Sequence, residues 1–528
     1  MFQLEDPHYR HASRRSSIYA SCAVATSQPL AAQAGLAMLQ AGGNAADAAI
    51  AAAITLTVVE PNMNGIGGDA FAIIANNSDL HGFNGCGRSP AAWSPQRFAD
   101  CEAFPERGWE TVTVPGAVDA WVQVSKRFGS LPFAQLFQHA IGYAREGFVV
   151  SPIVATGWAT AVELFGQLEG FRSTFMVDGR APVAGERFRC PAMAETLDDI
   201  ATSHGDSFYR GRLAQLIAND AANHNGALTA ADLAGHQGYW TECLTQEFAD
   251  LTVHEIPPNG QGIVTLLALG ILEHLDIARY PALSADSVHL QIEALKAAFT
   301  AAHQHVADPA AMEVSPGQLL HPAYLARCAS EIHREQAGQP QAHSFGDKGT
   351  VYLAAADRDG MMVSWIQSNY DGFGSGAVVP ATGISLHNRG SGFTLEPGHP
   401  NQVAGNKRPY HTIIPAVVSR AGRPLLAFGV MGAHHQPQGQ VQVLINIFCH
   451  GYSPQQALDA PRWHLHEDFS VSLEDGLAEL ATPLAARGHA LAAQAKAGLF
   501  GGGQAILRTD SGYVAGSDPR KDGQAVGY

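Results

Sequence analysis

Apolar and small residues group into segments of helical or extended character, separated by turns rich in glycine, proline and asparagine. Residues 28–40 place three leucines among alanines, which predicts a helix packed closely against its neighbours. Gly42-Gly43-Asn44 ends this helix, and residues 45–56 predict a second alanine-rich helix with Asn44 as its N-cap. The glycine-dense turn Gly65-Ile66-Gly67-Gly68-Asp69 then leads into an apolar strand. Further helices are predicted over 132–146, from about Ile263, over 287–307 and over 438–449, with a strand over 425–430.

The most informative junction lies after residue 330. Residues 331–348 are polar with little apolar periodicity, which indicates an exposed linker. The linker ends at Gly349-Thr350, and two apolar runs, 351–356 and 361–368, follow around a four-residue turn of Asp, Arg and Gly. This pattern predicts a β-hairpin that starts directly after the linker.

Composition narrows the class of protein. The 528 residues are 46% hydrophobic and 15% charged, so the chain can form a sizeable core, and wholesale disorder is excluded. The net charge of −16 disfavours binding to nucleic acid or to an anionic membrane. The most apolar segment, 45–59, contains Asp47 and is shorter than the roughly 20 residues of a membrane span. Because the N-terminus is polar and has no apolar stretch typical of a signal peptide, we expect a cytoplasmic protein.

Several kinds of site are disfavoured by residue spacing. Seven widely spaced cysteines without a C-x-x-C pair argue against a disulfide framework and a structural zinc site. Phosphate loops lead from a strand into a helix, the reverse of the order around Gly65, so a structural turn is the better interpretation there. No His-Glu-x-x-His or Gly-x-Ser-x-Gly motif occurs, and we expect neither a metal nor another cofactor, although Cys86 is left open as a nucleophile. The candidate metal ligands are His303, His305 and Asp308; His434 and His435; and His464, His466 and Glu467.

Thr350 offers a different chemistry. A threonine hydroxyl is a weak nucleophile unless a base lies beside it, and an N-terminal threonine carries its own base, an α-amine of pKa about 7.7–8.0. Thr350 is internal, so the chain would have to cleave itself at Gly349-Thr350, by attack of the hydroxyl on the preceding carbonyl and hydrolysis of the resulting ester. Glycine at 349 gives the backbone the freedom that this attack needs. The polar linker before Thr350 and the hairpin after it favour this hypothesis.

A set of collinear motifs resembles one known family. Residues 42–48, Glu60-Pro61 and 65–69 resemble the N-terminal signature of the γ-glutamyltransferases, which are self-cleaving N-terminal-nucleophile hydrolases. The motifs that recur further along in the family's order are Val114-Pro115-Gly116, Asn406-Lys407-Arg408-Pro409, Asp459-Ala460-Pro461-Arg462 and Ser517-Asp518-Pro519-Arg520.

The resemblance implies an α+β fold, an αββα four-layer sandwich. It implies a heterodimer of a large subunit, residues 1–349, with the linker of about 331–349 at its C-terminus, and a small subunit, residues 350–528; these heterodimers can dimerise further. It also implies that Thr350 is the nucleophile, that Ser368 hydrogen-bonds it, and that the backbone of Gly432 and Ala433 forms the oxyanion hole.

The acyl pocket departs from the family's pattern. The arginine that grips the glutamate α-carboxylate aligns with Cys86, although Arg88 lies two residues on, and the acid that grips the α-ammonium group aligns with Gly392. The other pocket positions become Tyr370, Arg389, His411 and Thr412. We therefore expect Arg88, Tyr370, Arg389, His411 and Thr412 to line a pocket that favours a carboxylate without an α-ammonium group. On this expectation, Arg88→Ala should raise KM strongly for an anionic acyl donor.

These features predict an autoprocessing N-terminal-threonine amidohydrolase or acyltransferase of the γ-glutamyltransferase (glutathione hydrolase) type, acting on a small-molecule amide. The first alternative is the same chemistry on a non-glutamyl acid amide, as in oxamate amidohydrolases and cephalosporin (glutaryl-type) acylases. The alternative from another class is a non-catalytic or metal-dependent protein on the same scaffold.

Overall fold

The hydrophobic segments assemble into two stacked antiparallel sheets in a computed structural model that describes residues 15–77, 79–338, 350–492 and 498–528. Gly349 and the predicted linker beyond residue 338 lie outside the described residues. The strands are β1 (Ile18–Ala20), β2 (Ala23–Thr26), β3 (Asp69–Asn76), β4 (Asp79–Asn84), β5 (Phe148–Val149), β6 (Arg187–Phe188), β7 (Tyr239–Thr241), β8 (Leu244–Phe248), β9 (Leu251–Glu255), β10 (Val351–Ala356), β11 (Met362–Ser368), β12 (Val378–Val379), β13 (Ile384–Ser385), β14 (Ala416–Arg420), β15 (Arg423–Met431), β16 (Trp463–Leu465), β17 (Val471–Leu473), β18 (Gly502–Thr509), β19 (Gly512–Ser517) and β20 (Gln524–Gly527).

Each main sheet has seven strands. One has the order β20-β2-β10-β11-β3-β4-β7, and the other has the order β1-β19-β18-β15-β14-β9-β8. The hairpin β10–β11 occupies the middle of the first sheet, with Val351 paired to Gln367. The N-terminal end of β10 therefore lies deep in the fold rather than at an edge.

Helices cover the outer faces of both sheets. They are α1 (Pro29–Gln40), α2 (Ala45–Val59), α3 (Ala117–Phe128), α4 (Gln138–Glu146), α5 (Pro152–Phe165), α6 (Glu169–Phe175), α7 (Pro191–Ser203), α8 (Asp206–Tyr209), α9 (Arg212–Asn223), α10 (Ala230–Ala234), α11 (Gly262–His274), α12 (Ala285–His305), α13 (Pro316–Leu319), α14 (Pro322–Glu331), α15 (His435–Leu444), α16 (Pro454–Asp459) and α17 (Ala481–Ala486).

Side-chain alternation along β10 separates the layers. Tyr352, Ala354 and Ala356 belong to the core between the two sheets, whereas Val351, Leu353 and Ala355 belong to the core shared with α1 and α2. On the far side, the outward residues of β14 and β15 pack with α11 and α12. Successive strand residues point to opposite faces, so one strand contributes to two cores. The predicted αββα four-layer sandwich is confirmed.

The local predictions agree with the elements in most places. Asn44 caps α2 through its side chain, and Asp47 completes a capping box. The helix expected over 132–146 begins instead as a 3₁₀ turn, Phe133–Phe137. The helix expected from 438 starts earlier, at His435, because Pro437 lies in the first turn, where its missing N–H costs no intrahelical bond. Its last five expected residues form a π-helical turn, Ile445–Cys449.

The start of the predicted linker is described up to residue 338. Helix α14 ends at Glu331, and residues 332–338 are exposed or half-buried. Ala337 N–H donates to the carbonyl of Arg487 at 2.7 Å, so this segment is attached to the part of the chain that follows Thr350. Within the described residues, no helix combines the length and apolar character that a bilayer crossing requires. The cytoplasmic location stays a prediction.

Candidate active site

Thr350 stands next to Ser368 because the β10–β11 hairpin pairs their neighbours. Val351 is opposite Gln367, so the residues one step beyond, Thr350 and Ser368, meet at the same end of the hairpin. Their Oγ atoms are 3.2 Å apart, and both side chains are buried. The Ser368 hydroxyl also accepts the N–H of Tyr370 at 2.7 Å. The contact predicted between nucleophile and second hydroxyl is therefore present in the geometry.

Gln436 also reaches the Thr350 hydroxyl. Its Nε2 donates to Thr350 Oγ1 at 3.3 Å, and its Oε1 accepts the N–H of Ile414 at 3.1 Å. Since the amide group donates to Thr350, the hydroxyl hydrogen of Thr350 is directed elsewhere. Gln436 is not among the residues predicted for the site, and its only signal in the sequence is a polar residue in the first helical turn after a glycine turn.

The backbone makes a turn directly after β15, at Gly432 and Ala433. Gly432 has φ 123° and Ala433 has φ 48°, both in the left-handed region. Their carbonyls accept the N–H groups of His435 and Gln436, which starts α15. Within the described ranges, neither the Gly432 nor the Ala433 N–H donates to a protein group. Two free, fixed N–H donors have the character of an oxyanion hole.

Arg389 forms the other end of the site. It is fully buried, its guanidinium lies 3.8 Å from the centroid of the Tyr370 ring, and its Nη1 donates to Thr412 Oγ1 at 3.0 Å. Its Nε and Nη2 atoms have no hydrogen-bond partner among the described residues, and no described carboxylate forms an ion pair with it. A buried guanidinium is normally paired with an anion, so this free edge is suited to a ligand carboxylate.

The side chain of His411 binds Asp69 and does not offer a free nitrogen to the expected acyl pocket. Its Nε2 donates to Asp69 Oδ2 at 3.0 Å, and its Nδ1 accepts the N–H of Ile413 at 3.3 Å. Asp69 Oδ1 accepts the N–H of Gly116 at 2.9 Å. Both ring nitrogens of His411 are thus engaged, and in this geometry His411 supports Asp69. The groups that can donate hydrogen bonds to a ligand carboxylate are then those of Arg389 and Thr412.

The charges of this cluster follow from burial and proximity. Burial lowers the pKa of His411 to about 3, and the nearby Arg389 charge acts in the same direction. Burial alone would raise the pKa of Asp69, but His387, His411 and Arg389 outweigh it and lower this pKa to about 2. At neutral pH the cluster therefore consists of ionised Asp69, neutral His411 and a charged Arg389.

Arg88 is separate from these residues. Its guanidinium donates to Asp308 at 3.1 Å and to the carbonyl of Asn406 at 2.7 Å, and 45% of its side chain is exposed. The structure thus brings together Thr350, Ser368, Tyr370, Arg389 and Thr412 through consecutive contacts, and Arg88 makes none of these contacts. Its role in the acyl pocket stays a prediction.

The glycine-dense turn supports the site from behind. A Cβ on Gly67 would lie 2.4 Å from the carbonyl of Ser385, and one on Gly68 would lie 2.6 Å from the carbonyl of Ser368. Only glycine allows this close approach. The structural interpretation of the turn therefore fits, and the same turn delivers Asp69 to the cluster with His411.

Two groups of side chains could offer ligands to a metal. Asp69, Cys86 and His411 lie close together, but burial raises the pKa of the Cys86 thiol far above its usual range, so it is not a thiolate. His289, Glu293 and His489 also converge, but the Lys296 ammonium group donates to Glu293 at 2.8 Å and already supplies a cation. Asp69 and His411 of the first group are also hydrogen-bonded to each other at 3.0 Å, and the absence of a metal stays a prediction.

Comparison with known proteins agrees with this geometry. The family model for gamma-glutamyltranspeptidase matches residues 31–528. The chain belongs to the gamma-glutamyltranspeptidase family. Within this family it is 35% identical to the glutathione hydrolase-like YwrD proenzyme of Bacillus subtilis over 509 residues, which cover 94% of this chain and 97% of that protein. It is 36% identical to the oxamate amidohydrolase proenzyme of Klebsiella pneumoniae over 514 residues, which cover 94% and 97%.

A solved structure extends the comparison to the fold. The cephalosporin acylase from Bacillus halodurans superposes with a TM-score of 0.94 and 44% sequence identity, covering 100% of this chain and 99% of that one. The prediction of a gamma-glutamyltransferase-type N-terminal-nucleophile amidohydrolase is thereby confirmed at the level of the family, and the protein is an enzyme that acts on amide bonds. Its relatives are proenzymes, which agrees with a two-chain product of self-cleavage.

Proposed function

We propose that the enzyme hydrolyses a small amide whose acyl group ends in a carboxylate and lacks an α-ammonium group. The observation that carries this proposal is the free Nε/Nη2 edge of the buried Arg389. These two N–H groups lie on the same side of the guanidinium and match the two oxygens of a carboxylate. The Thr412 hydroxyl accepts from Nη1, so its own hydrogen can donate to the same ligand.

The pocket offers little to an α-ammonium group. Gly392 aligns with the family's ammonium-binding acid, and a Cβ on Gly392 would lie 2.5 Å from the carbonyl of Tyr410. A longer acidic side chain therefore has no room at this position without movement of the backbone. The Arg389 charge would also repel an ammonium group nearby. Glutathione and other γ-glutamyl donors are consequently expected to be poor substrates.

The reaction begins with cleavage between Gly349 and Thr350, which frees the Thr350 α-amine. This amine takes the hydroxyl proton while Oγ1 attacks the substrate carbonyl, and the negative oxygen is bound by the Gly432 and Ala433 N–H groups. The amine then gives the proton to the leaving nitrogen, the C–N bond breaks, and a threonyl ester remains. Water attacks this ester by the same route, releasing the acid and restoring the hydroxyl.

Ser368 and Gln436 hold the nucleophile during these steps. Both contact Thr350 Oγ1, at 3.2 and 3.3 Å, and Gln436 donates an N–H that stabilises negative charge on this oxygen. The names of two relatives, an oxamate amidohydrolase and a cephalosporin acylase, also support a non-glutamyl acyl group. The other named relative, a glutathione hydrolase-like protein, makes γ-glutamyl amides the necessary comparison.

The test is a substrate panel with matched acyl groups: oxamate, a glutaryl anilide, a γ-glutamyl anilide and an uncharged butyryl anilide. We expect wild-type kcat/KM for the better of the first two to exceed the uncharged anilide by about 10²–10³-fold, as for a buried charge contact. Arg389→Met should remove this preference, and Arg389→Lys should restore part of it. A γ-glutamyl anilide as the best substrate would contradict the proposal.

A matched control separates the pocket charge from general damage. Arg107 forms an ion pair with Asp371 at 2.7 Å, next to Tyr370 in the chain. Arg107→Met removes a nearby positive charge and should leave the ratio of charged to uncharged substrates unchanged. Both variants should still cleave before Thr350, since the nucleophile contacts do not include either arginine. Equal loss of selectivity in the two variants would exclude a specific role of Arg389.

A further inference from the structure

The side chain of Gln261 connects the two ends of the site. It is fully buried at the N-terminus of α11, and its Nε2 donates to the carbonyl of Thr412 at 2.7 Å and to the carbonyl of Ala433 at 2.8 Å. Its backbone N–H donates to the carbonyl of His411 at 2.8 Å. One glutamine therefore binds both the acyl-pocket segment and the turn that carries the oxyanion hole.

Ala433 needs such support because its backbone is strained. Its φ of 48° lies in the left-handed region, which non-glycine residues adopt only when surrounding contacts hold them there. The Gln261 amide is bound to the carbonyl of this same residue. The carbonyl of Ala433 belongs to the peptide plane that follows this residue, so holding it restricts rotation about ψ of Ala433. This restriction supports the left-handed turn that also sets the directions of the preceding N–H groups of Gly432 and Ala433.

The hydrogen-bond chemistry of the site requires a glutamine. The hydroxyl of Tyr410 donates to Gln261 Oε1 at 3.2 Å, so the NH₂ group must face the two carbonyls. A primary amide offers two donors on one nitrogen, one for each carbonyl. A carboxylate would place two acceptors there, and a methionine would leave both buried carbonyls without this donor.

We propose that Gln261 is the positioning residue of the oxyanion hole, a role that rests on the proposed function. Gln261 belongs to the large fragment and Ala433 to the small one, so the hole has its active geometry only when the two fragments are assembled. Among the described residues, the side chain and backbone N–H of Gln261 form hydrogen bonds with Thr412, Ala433, Tyr410 and His411 and not with Thr350. The effect of Gln261 on the reaction passes through the Ala433 backbone.

The test compares Gln261→Met and Gln261→Glu with a matched control, Gln440→Met. Gln440 is equally buried and also bridges fragments: its Oε1 accepts from Thr265 and its Nε2 donates to the carbonyl of Ile414, and neither of these contacts involves Thr412 or Ala433. We expect both Gln261 variants to lower kcat by about 10–100-fold, as for a displaced catalytic group, and to change KM much less. Gln440→Met should lower stability to a similar degree and leave kcat within a few-fold of wild type.

A second readout isolates the oxyanion hole itself. A boronic acid analogue of the acyl group forms a tetrahedral adduct with Thr350 and places an oxygen in the hole, whereas the free carboxylic acid product does not. The Gln261 variants should weaken the boronate by the same factor as kcat and leave product inhibition nearly unchanged. Equal boronate affinity in wild type and Gln261→Met would overturn the proposal, and so would a kcat loss in Gln440→Met as large as in Gln261→Met.

Two further outcomes remain decisive. If Gln261→Met and Gln261→Glu fail to fold, Tyr410→Phe removes only the hydroxyl that orients the amide, and it should weaken the boronate by about 3–10-fold, the value of one neutral hydrogen bond. Unchanged boronate affinity in that variant would then overturn the role of Gln261. If the boronate does not inhibit the wild-type enzyme, the proposed function is wrong, and the role of Gln261, which depends on that function, is wrong as well.

Discussion

The two ends of the site, one for the reaction and one for the acyl group, consist of different kinds of chemical group. The reaction end consists of two hydroxyls, an amide side chain and two backbone N–H groups, all neutral in the unprocessed chain, around Thr350 and Gly432. The acyl end consists of buried charges, Asp69 and Arg389, with neutral His411 between the backbone and Asp69. In the proposed function, local backbone geometry sets the reaction, and side chains from distant segments set the choice of acyl group.

This contrast has a measurable consequence. Substitutions at the reaction end should lower the rate for every acyl donor by a similar factor. Substitutions at the acyl end should change the ratio between charged and uncharged donors and leave self-cleavage in place.

The largest effect after loss of the nucleophile is expected for Gly432→Ala. With φ of 123°, Gly432 occupies backbone space that favours glycine, and a Cβ there would lie 3.2 Å from the Cα of Gly501. Movement of one oxyanion donor should lower kcat by about 10²–10³-fold. The loss should be the same for glutaryl and butyryl anilides, measured under saturation.

Ala433→Gly is the matched control for that substitution. Glycine adopts a φ of 48° without strain, so this change keeps the turn and its N–H groups. We expect kcat to stay within about tenfold of wild type. Full activity of Gly432→Ala, or a loss of activity on charged donors alone, would show that this turn does not form the oxyanion hole.

A smaller effect is expected for the pH dependence of stability at the acyl end. The pKa of His411 falls from 6.5 to about 3 on folding, so the folded chain keeps this residue neutral where the unfolded chain binds a proton. Its contribution is fully present above pH 6.5 and is lost as the pH falls from 6.5 toward about 3. His411→Gln keeps a donor for Asp69 and does not titrate.

The measurement is chemical denaturation of wild type and His411→Gln at about pH 7.5 and about pH 5, where unfolding of the wild type takes up about one more proton. The stability of the variant should therefore fall less on acidification. His464, a buried histidine outside this cluster, titrates in both proteins and cancels in the difference. If the free energy of unfolding decreases equally in the two proteins between about pH 7.5 and about pH 5, His411 is charged in the folded state.

The smallest effect is expected for Arg88→Ala. Its guanidinium is half-exposed and held by Asp308 and Asn406, so removal should change KM for an anionic donor by less than about fivefold, as for an exposed ion pair. The hypothesis that Arg88 lines the acyl pocket predicts a strong rise in KM instead. Steady-state kinetics on the glutaryl anilide decides between them, and a large rise would place Arg88 at the acyl end with Arg389.

The family resemblance implied the roles of Ser368, Gly432 and Ala433 at the reaction end, and local patterns agree with their placement, whereas Gln436 was not predicted. The hairpin pattern of 351–368 brings Thr350 and Ser368 together, and a glycine after a strand marks the turn at Gly432. The alanine-rich helices and the β10–β11 hairpin have local signals, but the four layers were implied only by the family resemblance.

The acyl end could be predicted only as a set of residue types. Asp69 and His411 are 342 residues apart, and Gln261 and Ala433 are 172 apart, and neither contact leaves a local signal. Gln261 lies in an irregular loop before a helix, where glutamine is not a common cap. The engagement of both His411 nitrogens, and of Arg88 with Asp308, depends on chain packing that spacing does not reveal.

Self-cleavage before Thr350 underlies every step above, and intact-mass measurement of the purified protein tests it most directly. Thr350→Ala removes the attacking hydroxyl, and Thr350→Ser keeps a hydroxyl on the same backbone, so these variants separate chemistry from folding. We expect wild type and Thr350→Ser to give two fragments, the smaller beginning at residue 350, and Thr350→Ala to give one inactive chain. An uncut wild-type chain that hydrolyses amides, or a Thr350→Ala chain that still divides at this bond, would contradict this mechanism.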